Sequence, residues 1–453
     1  MHDSPNYDLV DGSRVAVIGG GPAGSLFSFF LLQMAERAGL QLEVDIYEPR
    51  DFTRPGPAGC NNCGGIVSEW LVQALAMEGV PLPPDVVQRG IESYTMHLDV
   101  GSVRFEPPTH EKRIAALHRG GGPKDATEGQ WASFDAHLLN LAQQRGAHWV
   151  RARVDAVRYA DGKIQVRSSG KEFKTYDLVA AATGKHVQSF KIFEALGTGY
   201  KPPRMSRTYI SEIHLGNAAI NEHLGNSMHL FLPDVPNIKF GALIPKGDYV
   251  TLCILGQEIT RGTVAAFVAS AGVDRCMPPG WVLPENCCHC TPSISIQGAV
   301  RPYADRLVFV GDCSVSRLYK DGIGAAYRAA KAAATAVVYY GVSARALEQH
   351  YWPTLRSIGR DNLFGRIIYL VTTIIQRVRL IRPGVVRMIR REQAHPDAPA
   401  RMSSILWDTF TGSAPYRDVF IRTLHPAFIL QFLADIVVGM FAPAEPPGKE
   451  PKS

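Results

Sequence analysis

Ten residues constrain this chain more than any others. Val15-Ala16-Val17-Ile18-Gly19-Gly20-Gly21-Pro22-Ala23-Gly24 reads as a buried strand turning sharply into a helix. Gly19, Gly21 and Gly24 have the G-x-G-x-x-G spacing. The first glycine permits the tight turn, the second lets backbone approach phosphates, and the third lets a helix over 25–37 pack closely on the sheet. Ala23 lies inside the same turn. A pyrophosphate placed there meets unpaired amides at the helix start. A second apolar strand, 42–47, ends at Glu48, where a carboxylate reaches the ribose hydroxyls of an adenosine. Strand, turn, helix and acid together specify a dinucleotide site.

Later segments decide which dinucleotide. Arg306-Leu307-Val308-Phe309-Val310-Gly311-Asp312 is another buried strand, and Lys320-Asp321-Gly322-Ile323-Gly324 opens an alanine-rich helix. A nicotinamide domain has no use for this element, whereas an extended FAD does. Asp312 can hold ribityl hydroxyls, and a helix beginning near Gly322 turns its positive end toward the flavin pyrimidine, where reduction places negative charge. A third strand, 176–182, leads through Thr183 and Gly184 back to the cofactor. The cofactor read from this order is FAD.

Over residues 13–345 the chain resembles the flavoprotein superfamily of aromatic hydroxylases and geranylgeranyl reductases. Cys63-Gly64-Gly65 and Ile244-Pro245-Lys246-Gly247-Asp248 resemble the Cys-Gly-Gly and Phe-Pro-Lys segments of the geranylgeranyl reductase branch. Three positions depart from the superfamily pattern. Trp131-Ala132-Ser133 stands where an arginine usually precedes the Phe134-Asp135 pair, Ala182-Thr183-Gly184 replaces Ala-Asp-Gly, and Phe240-Gly241 replaces an aromatic pair. The resemblance implies an apolar isoprenoid or lipid substrate, with NADPH or another donor, such as a protein, docking transiently to supply electrons.

The 453 residues suit two or three units rather than one core. With cofactor strands near 15, 44, 178 and 308, the expected α/β architecture has a discontinuous Rossmann-like FAD-binding domain over 1–89, 130–200 and 297–345. A mixed-sheet substrate domain is expected over 90–129 and 201–296, and a C-terminal helical region over 346–453. Residues 1–14 are polar and acidic and carry no targeting pattern, so a cytoplasmic location is expected. The Pro/Lys-rich tail at 443–453 reads as disordered. No nucleic-acid partner is expected.

Eight cysteines, several clustered, agree with a reducing compartment. Cys60 and Cys63 form a Cys-x-x-Cys pair, and Cys287, Cys288 and Cys290 form a second cluster. Four thiolates from these loops can make a zinc or iron–sulfur site; a redox-active pair and plain buried thiols remain open as alternatives.

The C-terminal region offers an apolar run at 367–375, too short for the roughly twenty residues of a membrane span. Eight arginines and one acid, Asp361, lie between 360 and 391, more charge than the +6 of the whole chain. Such a run flanked by arginines suits a helix lying on an anionic membrane face, and an arginine-rich docking helix is the alternative. A peripheral position on the inner membrane face is therefore expected. The segment 407–417 suggests no mechanism. For chemistry, hydride addition to an isolated alkene needs a proton donor, and Cys63, Asp321, Lys320 and Tyr319 are the candidates. His186 and Arg119 read as loop residues, either solvated or touching a ligand. The expected reaction is reduction of prenyl double bonds by reduced flavin; a monooxygenase and a flavin/iron–sulfur electron carrier to quinone are the alternatives.

Overall fold

Strand Arg14–Ile18 is flanked by Glu43–Tyr47 on one side and Leu178–Ala181 on the other, all parallel. His148–Val150 extends the first edge and Leu307–Phe309 the second, with a short antiparallel Tyr303–Ala304 beyond it. The computed structural model describes residues 7–60, 63–107, 114–126 and 131–441. The tail at 443–453 and the first six residues lie outside them.

Alternation along these strands buries both faces of the sheet. Val15, Val17, Val44, Ile46, Ala180 and Val308 face helices Pro22–Arg37, Phe134–Gln144 and Gly322–Tyr339. Their neighbours Ala16, Ile18, Val179, Ala181 and Phe309 face a three-stranded antiparallel sheet formed by Val154–Ala160, Lys163–Ser168 and Lys174–Tyr176. The first helix opens at Pro22, earlier than its apolar pattern implied, because proline's missing amide is harmless in the first turn.

The second large sheet has eight strands. Ser93–Leu98 and Ser227–Phe231 pair in parallel, whereas Gly101–Phe105, Ile238–Lys246, Tyr249–Gly256, Arg204–His214, His289–Cys290 and Ser293–Gln297 add antiparallel. A smaller sheet of Ile66–Val67, Ile114–Leu117 and Val87–Ile91 stands beside it.

The C-terminal helices cover one face of the eight-stranded sheet. Tyr94, Met96, Leu230, Phe240 and Ile244 share a core with Tyr369, Met388, Trp407, Phe410 and Tyr416, from helices Trp352–Arg377, Arg382–Ala394, Arg401–Thr411 and Tyr416–Thr423. Segment 407–417 thereby acquires a structural role: Trp407 Nε1 donates to Glu69, and Tyr416 donates to the Leu318 carbonyl. Arg317 donates to the carbonyls of Gly412 and Ala414.

Candidate flavin and substrate site

The three motif glycines do different work. Gly19 has φ +111°, and a Cβ there would lie 2.3 Å from the Ala182 carbonyl oxygen. At Gly24 a Cβ would lie 1.9 Å from the Gly19 oxygen, so this glycine is required by helix–strand packing. A Cβ on Gly21 would meet nothing nearer than Arg119 Nη2 at 3.8 Å. Protein packing therefore does not require Gly21, and the open backbone at the helix start has the form of a phosphate cradle. Gly311 packs against Ala23, where a Cβ would come within 2.6 Å of the alanine methyl.

Around this cradle the polar groups converge. Glu48 is buried, accepts from the Gly20 amide at 3.1 Å and pairs with Arg50 at 3.1 Å. Asp312 meets Lys185 Nζ at 3.1 Å, next to Gly184 with its positive φ. Burial pulls the Asp312 carboxyl up, but Lys185, the Ser316 hydroxyl and Arg119 outweigh it and hold it below the usual carboxylate range. Gly322 lies beside Asp312 and Ser316 and opens helix Gly322–Tyr339, whose first turn also holds Ile323 and Gly324.

Arg119 is locked in place. Its guanidinium grips Asp135 through two bonds, Nε to Oδ1 at 3.0 Å and Nη2 to Oδ2 at 2.7 Å. Burial opposes its charge, but Asp135, Cys63 and Asp312 together raise its pKa. Segment 131–133 lacks the arginine usual before Phe134-Asp135, and Arg119 supplies a guanidinium to Asp135 from a separate loop. His186 instead begins helix Val187–Glu194 and meets Ser189 Oγ at 3.1 Å.

Beside the cradle a pocket is lined by Cys60, Cys63, His118, Arg119, Glu212 and Lys246. Lys246 and Glu212 form a buried ion pair at 3.6 Å, 1% and 4% exposed. Lys246 Nζ also donates to the Cys63 carbonyl at 3.1 Å, tying the Cys63-Gly64-Gly65 loop to the large sheet. Burial raises the Glu212 pKa, against the opposing pull of Lys246 and Thr251. His118 stacks on Trp131 at 3.9 Å, and its Nε2 is buried without a partner among the described residues. A buried polar atom left open beside the cradle fits a bound ligand. Sequence reading missed Lys185, Glu212 and His118, because each is defined by a partner on a distant segment.

The four candidate acids occupy different settings. Asp321 has φ +54°, caps helix Gly322–Tyr339 by accepting from the Gly324 amide at 3.2 Å, and faces Arg317 at 3.5 Å. Tyr319 is bonded to Lys239. Cys63 sits at the pocket, held there through its backbone. Lys320 lies 4.8 Å from the centre of the Phe240 ring and 5.7 Å from that of Phe410. Burial brings its ammonium down to about 8, with the Cys253 thiol pulling slightly the other way. Cys253 in turn lies within electrostatic reach of Lys320, Cys63, Lys246 and Glu212, which joins the aromatic cage to the pocket.

The cysteine clusters do approach one another. Burial raises the Cys60 thiol to about 12, with Glu212, Cys288 and Cys290 adding to the effect. Cys287 accepts from Ser211 Oγ at 3.3 Å. Among the described residues, no three of Cys60, Cys63, Cys287, Cys288 and Cys290 share the mutual spacing that one ion requires. The loops meet, but the four-thiolate cage is not assembled.

Parallel sheet, glycine cradle and overlying mixed sheet define the fold of the FAD-dependent flavoproteins. The chain matches a geranylgeranyl bacteriochlorophyll reductase-like protein from Thermoplasma acidophilum with a TM-score of 0.60 at 14% identity, covering 94% of this chain and 100% of that one. A flavoprotein/dehydrogenase from Cytophaga hutchinsonii gives 0.61 at 15% identity, covering 95% and 100%. A variant of halogenase PltM in complex with FAD gives 0.59 at 11% identity, covering 95% and 91%. At the level of sequence, no family model and no curated protein matches. The expected flavoprotein fold is thus borne out.

Proposed function

We propose that this protein is an FAD-dependent oxidoreductase that reduces carbon–carbon double bonds of an apolar, isoprenoid-type substrate. Gly19, Gly21 and the helix start after Gly21 would hold the pyrophosphate, Glu48 the adenosine ribose and Asp312 the ribityl chain. When bound, reduced FAD supplies the hydride. The observation that carries the reading is Lys320: a half-buried ammonium against the rings of Phe240 and Phe410, with its pKa brought to about 8, is a proton donor matched to neutral pH. Phe240 and Phe410, in the core beneath the C-terminal helices, give Lys320 apolar surroundings, which suits an apolar chain. Asp321, engaged as a helix cap and by Arg317, orients the loop that carries Lys320. NADPH or a protein donor would recharge the flavin.

The C-terminal helices fit a peripheral place on a membrane surface, from which such a substrate can enter. Among the described residues no single helix is long and apolar enough to cross a membrane; the helix pair Tyr416–Thr423 and Pro426–Phe441, bent by 66°, passes by length and composition only.

Anaerobic, chemically reduced protein mixed with a geranylgeranyl ester is the test. The product should gain two hydrogens per double bond reduced. A product carrying one added oxygen atom, formed only in air, would replace this reading with a monooxygenase. Iron and acid-labile sulfide in the protein, without lipid reduction, would replace it with an electron carrier, its cluster drawing the loops of Cys60 and Cys63 and of Cys287, Cys288 and Cys290 closer together than they lie here.

A further inference from the structure

Strands Ser93–Leu98 and Ser227–Phe231 are buried on both faces. One face is apolar, with Tyr94, Met96, Leu98, Met228 and Leu230 in the core beneath the C-terminal helices. The opposite face carries Ser93, Thr95, His97, Ser227 and His229, an unusual set for a buried sheet surface. Parallel pairing sets Thr95 beside His229 and His97 beside Phe231, which brings the two imidazoles together on that face. Cys276 arrives from the segment that follows helix Ala271–Asp274. Gly272 permits this approach, since a Cβ there would lie 3.2 Å from the Phe231 ring and 3.5 Å from His97 Cβ.

The three ligand-type atoms converge. His97 Nε2 lies 2.9 Å from His229 Nδ1, and Cys276 Sγ lies 3.5 Å from the first and 3.4 Å from the second. Zinc–nitrogen and zinc–sulfur bonds of about 2.0 and 2.3 Å in a tetrahedron put nitrogen and sulfur about 3.5 Å apart and two nitrogens about 3.3 Å apart. Both sulfur edges already have that length, and the nitrogen edge needs to open by only a few tenths of an ångström.

Each imidazole is also oriented from behind. His229 Nε2 lies 3.1 Å from the Leu224 carbonyl oxygen, which only accepts, so Nε2 carries the proton and Nδ1 presents its lone pair. His97 Nδ1 lies 2.7 Å from Ser102 Oγ, a hydroxyl that can accept as readily as donate. Turning that hydroxyl lets Nδ1 hold the proton and frees the His97 Nε2 lone pair. This outer-shell arrangement is the one that fixes tautomer and ring angle at metal sites.

We propose that His97, His229 and Cys276 form a site for a zinc-like divalent cation that fastens helices Arg261–Val268 and Ala271–Asp274 to the parallel strand pair. Binding releases the Cys276 thiol proton and leaves the fourth tetrahedral position to water or another small ligand. Among the described residues this is the group of three whose ligand atoms all lie within mutual reach.

The test is titration of chelator-treated, full-length protein with Co(II), followed by Zn(II). One Co(II) per chain should bind with thiolate-to-cobalt charge transfer and the intense visible bands of a tetrahedral site, and Zn(II) should abolish both. Cys276→Ser should lose the charge-transfer band, whereas Cys60→Ser and Cys288→Ser should keep it. Ser102→Ala retains all three ligands and should weaken Co(II) binding by about 10–100-fold, which keeps the proposal testable if Cys276→Ser does not fold. Absence of a tetrahedral cobalt spectrum, or a spectrum unchanged in Cys276→Ser or Ser102→Ala, would overturn the proposal.

Discussion

Gly21 and Gly24 belong to one motif yet predict opposite defects. Gly24→Ala drives a methyl into backbone at the Gly19 oxygen, and such overpacking costs about 1–3 kcal/mol or more, so thermal stability should fall with or without flavin. Gly21→Ala has room in the protein and should melt normally while losing FAD; melting curves and flavin absorbance on the two variants separate these outcomes. Lys320 makes a second prediction. An amine with a pKa of about 8 is protonated below that pH and empty above it, so oxidation of the reduced enzyme by substrate should slow as pH rises through about 8. Lys320→Met should slow that step by about 10²–10⁴-fold at unchanged flavin content, read by stopped-flow absorbance. The glycines were legible in the sequence because a turn is a local event. Arg119 with Asp135, Lys246 with Glu212 and Lys185 with Asp312 were not, since each partner's meaning arises only when distant loops meet.

Among the elements, strands and the helices between them follow from apolar alternation, but the C-terminal helices were legible only in part. Charge counting gave an arginine excess, whereas pairing in three dimensions reduces it. Arg382, 1% exposed, and Arg379 both meet Asp99, and Arg387 and Arg391 both meet Asp435. The sole acid of that stretch, Asp361, accepts from the amides of Tyr416 and Arg417 and so caps helix Tyr416–Thr423. Arg360, Arg366 and Arg377 stay exposed on Trp352–Arg377, and beside them lie apolar side chains: Leu363, Leu370 and Val371 on that helix, and Leu430, Leu433 and Val437 on Pro426–Phe441, are each about half exposed or more. Membrane attachment should then depend on insertion as well as on charge. Vesicle sedimentation should show binding to anionic lipid that survives moderate salt in part, and Leu430→Asp with Leu433→Asp should weaken it by at least about tenfold without lowering the melting temperature. Binding unaffected by this pair would assign the face to another role. Truncation before residue 346 is a poor test of attachment, because it also strips the cover from Tyr94, Phe240 and Ile244.

Across the whole molecule, the central strand Arg14–Ile18 has one neighbour close in sequence, Glu43–Tyr47, and another, Leu178–Ala181, that emerges far later; Leu307–Phe309 comes later still. During synthesis on the ribosome, the nucleotide-binding turn is therefore made early but waits for most of the chain before its sheet is complete. High contact order of this kind slows folding and leaves strand edges open to wrong pairing. Expression as two halves divided near residue 200 should yield aggregates rather than a flavin-binding fragment, and yield of the intact chain should rise with riboflavin supply, since a ligand that binds only the completed sheet draws the last step forward.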